Sequence, residues 1–487
     1  MKLKESLALG ILCLPMFQMA ALADDTSDAI ADLKKQIQAL SENVQALENQ
    51  QTQRHAVSQT QPQADTTSSS AKTESAKPKA PAFVTAGDEG FSIRSADTNF
   101  VLRLRAYGHF DSHFYASPAL GAHDTLTLRR MRLAAEGTVY KYYDYRLLID
   151  VGSGITATST NNAFLQDAHV NFNYWPGLQL QAGKFKEPVS LDVLQSDANM
   201  EFIERGLPSE LAPNRDAGAM LHGDLFNNTL SYSAGIFNGV PDYGLGSGDV
   251  DVSDNYKDFS GRLFAQPFKN TSIQQLKGLG FGVGSSYGNQ IGAVASYVTT
   301  ARQKFFSYAS GDGTTAAKAN VTASGPHLRL APQGYWYWGP FGVFGEYDLS
   351  SERLRRDAGL KPTYQTFDNQ GWNVAFTYFL TGEKNQFDPV TIVHPFRPDG
   401  KSWGAWEVVG RYGVLDLDPK AFPSWVAKGS AEKATSWSAG LNWYFNKNVK
   451  LNLEYEQTAF GGASLGAPGT VVGQDEKAML TRIQFQF

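Results

Sequence analysis

Polar and apolar residues alternate along many stretches of about ten residues in this chain, as in strands of membrane barrels. Between Leu102 and His113, leucines and an alanine take the even positions, whereas Arg103 and Arg105 take odd ones. The same split recurs in 145–151, 167–174, 436–445 and 449–456. Strand side chains point alternately to two faces, so one face suits lipid and the other water. The pattern therefore predicts a membrane barrel with a wet, charged lumen.

Sixteen such strands can be traced, and their connections alternate between short turns and long loops, as periplasmic turns and extracellular loops do. The predicted fold class is all-β, a sixteen-stranded antiparallel transmembrane β-barrel, with poor alternation only in 289–327 and 383–403. The short connections are Trp175-Pro176-Gly177, Asn227-Asn228, Gly339-Pro340 and Asn446-Lys447-Asn448. The strands are expected near 100–115, 125–138, 143–152, 164–175, 178–186, 217–226, 229–238, 258–268, 279–288, 327–338, 341–352, 370–382, 404–417, 434–445, 449–460 and 476–487.

The two ends of the chain carry export features. Lys2 and Lys4 precede an apolar run, and Ala21-Leu22-Ala23 follows as a small-x-small cleavage site, so residues 1–23 are expected to be a signal peptide. A lipid on Cys13 is the alternative, but this cysteine follows Leu12 instead of a small residue. Cleavage of the signal peptide would leave no cysteine for disulfide or metal chemistry. The final residues alternate up to Phe487, as expected of a last strand in the outer membrane.

Apolar residues spaced three and four apart predict a short coiled-coil helix at 24–50, although a helix lying against another surface fits as well. Its core positions are Ile30, Leu33, Ile37, Leu40, Val44 and Leu47. Residues 51–90 are rich in Gln, Thr, Ser and Pro, which predicts a flexible linker. The barrel domain is expected over 91–487. A second function therefore stays open, in which the helix and linker tether the outer membrane to a cell-wall polymer.

Five short motifs follow one another in the barrel segment. They are Leu128-Arg129-Arg130-Met131-Arg132-Leu133, Leu165-Gln166-Asp167-Ala168, Gly183-Lys184-Phe185-Lys186-Glu187-Pro188, Gly235-Ile236-Phe237-Asn238-Gly239 and Gly404-Ala405-Trp406-Glu407. In order and spacing they resemble the phosphate-selective porin O and P family over about 91–487. The resemblance implies a homotrimer in outer-membrane lipid, with the third extracellular loop, about Glu187 to Asp216, folded into the lumen. It also implies passive diffusion of small anions, such as phosphate or polyphosphate.

Basic side chains on the predicted water faces are the candidate contacts for such anions, because staged Arg and Lys donors can replace part of the hydration of phosphate. The net charge is −5, so anion preference must come from where these residues sit. The candidates are Arg103, Arg105, Arg130, Arg132, Arg146 and Arg262 on strands, Lys184 and Lys186 where a strand enters the loop, and Arg215 inside the loop, with Arg205 and Arg411 as further members. The resemblance favours Arg130, Arg132, Lys184 and Lys186, whereas Lys450 is expected to lie far from the constriction.

The structural alternative is that these cations form ion pairs that rigidify the lumen. The acidic candidates for such pairs are Asp111, Glu136, Asp150, Asp167, Asp192, Glu201, Glu204, Glu346 and Glu407. For any one arginine outside the shared motifs, both interpretations stay open.

Other chemistries find less support in the sequence. His109 and His113 lie about 13 Å apart along one strand face, too far to share a metal, so we expect lumenal polar residues and no metal site. No G-x-S-x-G motif marks a nucleophile, and we expect no enzyme activity, no cofactor and no nucleic-acid partner. The aromatic run from Tyr335 to Trp338 indicates an interfacial girdle, with a sugar path or a general porin as the alternative.

Overall fold

The computed structural model describes residues 82–87, 90–117, 122–152, 164–243, 255–359, 361–464 and 474–487. All of them belong to one compact unit, Lys79–Phe487. The signal peptide, the coiled-coil helix and nearly all of the linker that the sequence predicts lie outside the described residues. No helix in the described part of the chain is long and apolar enough to cross a membrane.

Sixteen antiparallel strands close into a barrel, which confirms the predicted fold. Closure comes from β20, which pairs with β19 on one side and with β3 on the other. The elements of this sheet are β1 (Phe83–Gly87), β2 (Gly90–Arg94), β3 (Val101–Ser117), β4 (Thr125–Val139), β5 (Tyr143–Asp150), β6 (Phe164–Trp175), β7 (Leu178–Lys186), β8 (Arg215–Leu225), β9 (Leu230–Phe237), β10 (Asp258–Ala265), β11 (Gly278–Gly292), β14 (Asn320–Trp338), β15 (Phe341–Asp357), β16 (Thr363–Phe379), β17 (Ala405–Asp416), β18 (Ala431–Tyr444), β19 (Val449–Ser464) and β20 (Glu476–Gln486). The barrel itself consists of β3–β11 and β14–β20.

A small hairpin, β1–β2, extends the wall where the first barrel strand begins. Strand β2 pairs with the start of β3, from Val101 to Leu104, and β20 pairs with the rest of β3. The ring of Phe91 meets the ring of Phe487 edge-to-face at 5.8 Å. Strand β1 lies in the segment that the sequence analysis assigned to the linker, so the ordered sheet begins earlier than predicted.

The outer surface of the barrel carries the apolar half of each alternation. Leu104, Phe110, Leu147 and Val170 are exposed on this surface, where lipid covers them. Aromatic rings flank the short turns. Trp406 stacks on Trp443 at 4.8 Å, and Trp336 stacks on Trp338 at 6.2 Å. The girdle that the sequence predicts is therefore present, formed by the tryptophans of the run.

The two regions of poor alternation hold structure inside the barrel and at its rim. In the first, a short hairpin of β12 (Ser296–Val298) and β13 (Lys304–Ser307) packs inward. Its rings Tyr297, Phe305 and Phe306 are buried in an apolar core with Phe367 and Leu415 of the wall. Residues surrounded on all sides by other side chains need no polar face, so this hairpin carries no alternating pattern.

The second region connects β16 to β17 at the end of the barrel that carries the short turns. Asn385 binds the Gly339 carbonyl through its backbone N–H at 2.7 Å, and Phe387 stacks on Tyr335 at 5.4 Å. Further on, the Phe396 N–H donates to the Phe445 carbonyl at 2.6 Å. Residues 388–395 between these anchors form what we call the periplasmic strap.

Candidate functional site

The segment Glu187–Asn214, between β7 and β8, folds into the lumen, and we call it the inward loop. It contains one turn of helix, α1 (Leu191–Leu194), and a 3-10 turn, Leu207–Leu211. The Ser190 hydroxyl caps α1 by accepting the Val193 N–H at 3.1 Å. Apolar residues of the loop are almost completely buried, among them Val189, Ile203 and Leu211. Their burial favours the inserted position over an exposed one. Arg215, predicted inside the loop, is instead the first residue of β8.

The wall holds the inward loop largely through the loop's main chain. Lys450 donates to the Met200 carbonyl at 2.7 Å, and Arg411 donates to the Glu204 carbonyl at 2.8 Å. Glu454 accepts the Ile203 N–H at 2.8 Å. Further wall-to-loop bonds reach carbonyls from Gln333 to Val189, from Asn442 to Glu201 and from Gln484 to Ala198. Lys450 therefore lies directly under the loop, contrary to its predicted distance from the constriction.

One loop carboxylate, Asp197, is surrounded by guanidinium groups. It contacts Arg132 Nη1 directly, Arg205 Nη2 at 2.7 Å and Arg130 Nε at 3.7 Å. Burial favours the neutral form of this carboxyl, but Arg132, Arg205 and Arg130 outweigh it and hold the pKa of Asp197 well below its usual range. Asp197 stays ionised and orders three cations around itself.

A second loop carboxylate, Glu204, joins two parts of the wall. It accepts from Arg129 Nε at 2.7 Å, Arg130 Nη2 at 3.2 Å and Arg482 Nη2 at 3.3 Å. Two successive residues of β4 reach one carboxylate because the ladder shifts there: His109 pairs with Arg130 and Phe110 with Leu128, which leaves Arg129 as the extra residue of a bulge. Burial opposes the charge of Glu204, but Arg129 and Arg130 hold the pKa of this carboxyl well below its usual range.

A chain of alternating charges runs along β3–β8, and we call it the arginine chain. Glu136 lies between Arg105 Nε at 2.9 Å and Arg146 Nη1 at 2.7 Å. Asp167 lies between Arg146 Nε at 3.2 Å and Arg215 Nε at 2.7 Å. Each carboxylate is shared by two guanidinium groups, so the three arginines carry one more charge than the two acids. The side chains of Arg105 and Arg146 stay 42% and 37% exposed.

These two exposed arginines face a cavity of about 850 Å³, which we call the vestibule. It lies between the inward loop, which contributes Ala198 and Glu201, and the periplasmic strap. Arg132 and the turn around residues 446–448 complete its rim. The vestibule thus occupies the lumen between the inward loop and the end of the barrel that carries the short turns.

The wall formed by β15–β20 has the opposite character. Its inner face carries acids that are at most 4% exposed: Glu346, Asp348, Glu352, Glu407, Glu454, Glu456 and Glu476. Several bind the inward loop instead of facing open space. Glu346, for example, accepts from the Ser190 hydroxyl and the Leu191 N–H. These acids are therefore covered, whereas Arg105 and Arg146 on the other side of the lumen stay partly exposed.

Comparison with known proteins agrees with this architecture. The family model of the phosphate-selective porin O and P matches residues 102–487. The chain belongs to this family. Porin O of Pseudomonas aeruginosa is 25% identical over 395 residues, which cover 75% of this chain and 84% of that one. The outer membrane channel DcaP of Acinetobacter baumannii shares the fold, with a TM-score of 0.50 and 11% identity over 81% of this chain and 99% of that one.

This porin is therefore a channel of the outer membrane. Seven of its predicted contact residues lie in ion pairs, as in the structural alternative: Arg105, Arg130, Arg132, Arg146, Arg205, Arg215 and Arg411. Lys186 instead donates to the Gln195 carbonyl at 2.8 Å. Arg262 donates to Gln333 Oε1 at 2.8 Å and covers the Phe264 ring at 4.4 Å.

The other two predicted contact residues lie outside the arginine chain. Arg103 is exposed where β3 pairs with β2, opposite Ser92. Lys184 lies opposite Ala168 and Ala217 in the ladder, below the start of the loop. The structure thus brings together Arg105, Arg130, Arg132, Arg146, Lys186 and Arg215 around the inward loop and the vestibule. It leaves Arg103, Lys184 and Arg262 at other places on the wall.

Sequence reasoning missed three charged residues of this porin's constriction. Arg129 belongs to the first of the five motifs shared with the family, but strict alternation places it on the lipid face of its strand. Asp197 lies in a loop without periodicity, and Arg482 lies in the last strand, where it binds Asp111 at 2.6 Å as well as Glu204. The histidines at 109 and 113 are buried in the wall, and no group of His, Cys, Asp or Glu among the described residues could hold a metal.

Proposed function

We propose that this porin passes small anions, with phosphate as the best-fitting inorganic solute. The observation that carries the proposal is the arginine chain, in which three arginines share two carboxylates along the open side of the lumen. An excess of cations in a narrow, partly desolvated passage raises the local anion concentration and excludes cations. Position then outweighs the net charge of −5.

The chemistry of the exposed cations suits an oxyanion. Arg105 and Arg146 each hold a carboxylate with part of the guanidinium fork and keep more than a third of the side chain exposed. A guanidinium fork binds phosphate oxygens in two parallel hydrogen bonds, which a halide cannot match. The pairing with Glu136 weakens each site, so a bound phosphate can leave again, as conduction requires.

We further propose that three copies assemble and that the predicted helix at 24–50 joins them beneath the barrels. Support comes from the heptad spacing and from membership of the family. A cyclic trimer would give each copy its own pore. A role of the same segment in tethering the membrane to the cell wall is compatible with this assembly, because it uses the helix and leaves the pore unchanged.

Reversal potentials in planar bilayers under a salt gradient test the anion proposal. We expect anion selectivity in the wild type and a several-fold loss of selectivity in Arg105→Gln/Arg146→Gln, because the open wall loses two positive charges. Added phosphate should reduce chloride current in the wild type and do so less in the double variant.

Arg355→Gln is the matched control. Arg355 is also 42% exposed and paired with an acid, Asp357 at 2.9 Å, but it lies at the far end of β15 from the strap. It should leave selectivity unchanged. A cation-selective wild type would overturn the proposal and favour a general porin.

A further inference from the structure

The vestibule is larger than inorganic phosphate requires. Its volume of about 850 Å³ falls in the range of pockets that hold drug-sized ligands, roughly 300–1,000 Å³. Its lining is mixed: besides lysines, amides, tyrosines and the acids Glu136, Glu201 and Asp388, it includes guanidinium groups of the arginine chain and β4 and aliphatic groups of the wall and the strap. A site with guanidinium and aliphatic groups favours a ligand with both a charged and an apolar part.

The guanidinium groups gather on one side of the vestibule. Arg105, Arg132 and Arg146 come from β3, β4 and β5, which are neighbours in the sheet. Arg132 is fixed by Asp150 at 2.7 Å, and Arg146 by Glu136 at 2.7 Å. Rigid cations of this kind can hold an anionic head group at a defined place on the wall.

An apolar step interrupts this charged wall. Ala134 and Leu148 face each other across β4 and β5 on the inner face, and both line the vestibule. The neighbouring rungs are charged on either side, Arg132 with Asp150 and Glu136 with Arg146. Leu148 is 2% and Ala134 8% exposed, so this pair breaks the run of charges on the wall but offers a solute only a small aliphatic contact.

The periplasmic strap supplies a second apolar surface. Val390 and Ile392 line the vestibule and are half-buried, whereas Val393 points away and is 61% exposed. The strap is held at both ends, by Phe387 on Tyr335 and by Phe396 on the Phe445 turn. It therefore presents these two aliphatic side chains from a fixed position.

We infer that the vestibule binds organic anions that join a phosphate or carboxylate head to an aliphatic group. The head lies against the exposed side chains of Arg105 and Arg146, and the aliphatic group lies against Val390 and Ile392 of the strap. This inference rests on the proposed anion selectivity and narrows it to a substrate class. The vestibule then binds inorganic phosphate weakly and holds organic anions for longer.

Block of chloride current by two phosphate esters with the same head tests the inference. Methyl phosphate and hexyl phosphate differ only by methylene groups, each worth about fourfold in affinity when fully buried. Because burial in an open vestibule is partial, we expect hexyl phosphate to reach half-block at a concentration about tenfold lower. Val390→Thr/Ile392→Thr should bring the two half-blocking concentrations together while that of methyl phosphate stays unchanged.

Val393→Thr is the matched control on the outer side of the strap and should behave as the wild type. Ile392→Thr alone should give an intermediate shift, which separates lost contacts from a displaced strap. Equal block by both esters in the wild type, or an unchanged difference in the double variant, overturns the inference. Failure of the anion proposal looks different, because then neither ester blocks and the reversal potential shows cation selectivity.

Discussion

The two sides of the lumen use charge in different ways. On β3–β5, arginines share carboxylates and keep part of their surface exposed, as Arg105 and Arg146 do. On β15–β20, acids such as Glu346 and Glu454 are buried and hold the inward loop. Acids outnumber bases in the whole chain, 48 to 43, although Arg105 and Arg146 stay exposed at the vestibule. The comparison teaches that net charge describes how a porin is built, whereas exposed charge describes what it admits.

The largest effect is expected when the carboxylate that joins the two sides of the lumen is removed. Glu204→Ala leaves Arg129, Arg130 and Arg482 without their shared partner, and we expect a loss of about 3–5 kcal/mol in the free energy of unfolding. Denaturant unfolding of the detergent-solubilised protein measures it. In Glu201→Ala, whose carboxylate accepts only from Gln195 among the described hydrogen bonds, the loss should be below about 1 kcal/mol. Equal losses in both variants would contradict the assigned role of Glu204.

Loosening the acidic side alone should have a smaller effect on stability. In Glu346→Gln, the amide oxygen can still accept the Leu191 N–H, but the NH2 group replaces the acceptor that faces the Ser190 hydroxyl, so we expect a loss of about 1–2 kcal/mol. Single-channel current should become noisier because the loop is held less firmly. Glu352→Gln is the control, since Glu352 is buried on the same strand but faces His327 at 3.7 Å instead of the loop. Quiet current in Glu346→Gln would argue against this anchor.

The smallest expected effect concerns pH. Burial and the nearby Glu407 raise the pKa of Glu201 to about 7, against the attraction of Lys450. Glu201 lines the vestibule, so its ionisation above pH 7 adds a negative charge there and should lower anion selectivity modestly between pH 6 and pH 8. A raised carboxyl pKa also means that stability falls as pH rises from the ordinary Glu value of about 4.3 through about 7.

Reversal potentials of Glu201→Gln at both pH values measure this effect. The variant should show the same selectivity at each. Burial also raises the pKa of Glu210 to about 7, so the pH dependence of stability should persist in the variant. A wild type with constant selectivity over this range would remove Glu201 from the path.

The barrel could be predicted because lipid on one side and water on the other impose alternation on each strand. Where that condition fails, the prediction fails too. The β12–β13 hairpin is buried on both faces, so Phe305 and Phe306 follow each other without a polar partner. The strap runs over the mouth instead of along the wall. Strand β14 starts at Asn320, earlier than predicted, because a register shift between Ala323 and His327 interrupts its pattern.

Only the part of the candidate site that lies on the barrel wall could be predicted from the sequence. Arg130 and Arg132 alternate in register on β4, and both face the loop as expected. Arg129 reaches the same carboxylate only because of the bulge, which no spacing rule reveals. Asp197 depends on the path of the inward loop, which its own residues do not encode periodically. Some pairs, such as Arg482 with Glu204, join segments far apart in sequence, so these ion pairs could be found only in the structure.

Many of the hydrogen bonds between the wall and the inward loop reach the loop's backbone, for example at the carbonyls of Met200 and Glu204 and the N–H of Ile203. Every amino acid except proline offers the same groups, so those contacts are blind to the side chain at each position. Substitutions at loop positions other than Asp197 and Glu204, whose carboxylates bind arginines of the wall, can then accumulate without displacing the loop. Related porins can therefore change their solute preference through substitutions in this loop while the barrel and the position of the loop stay the same.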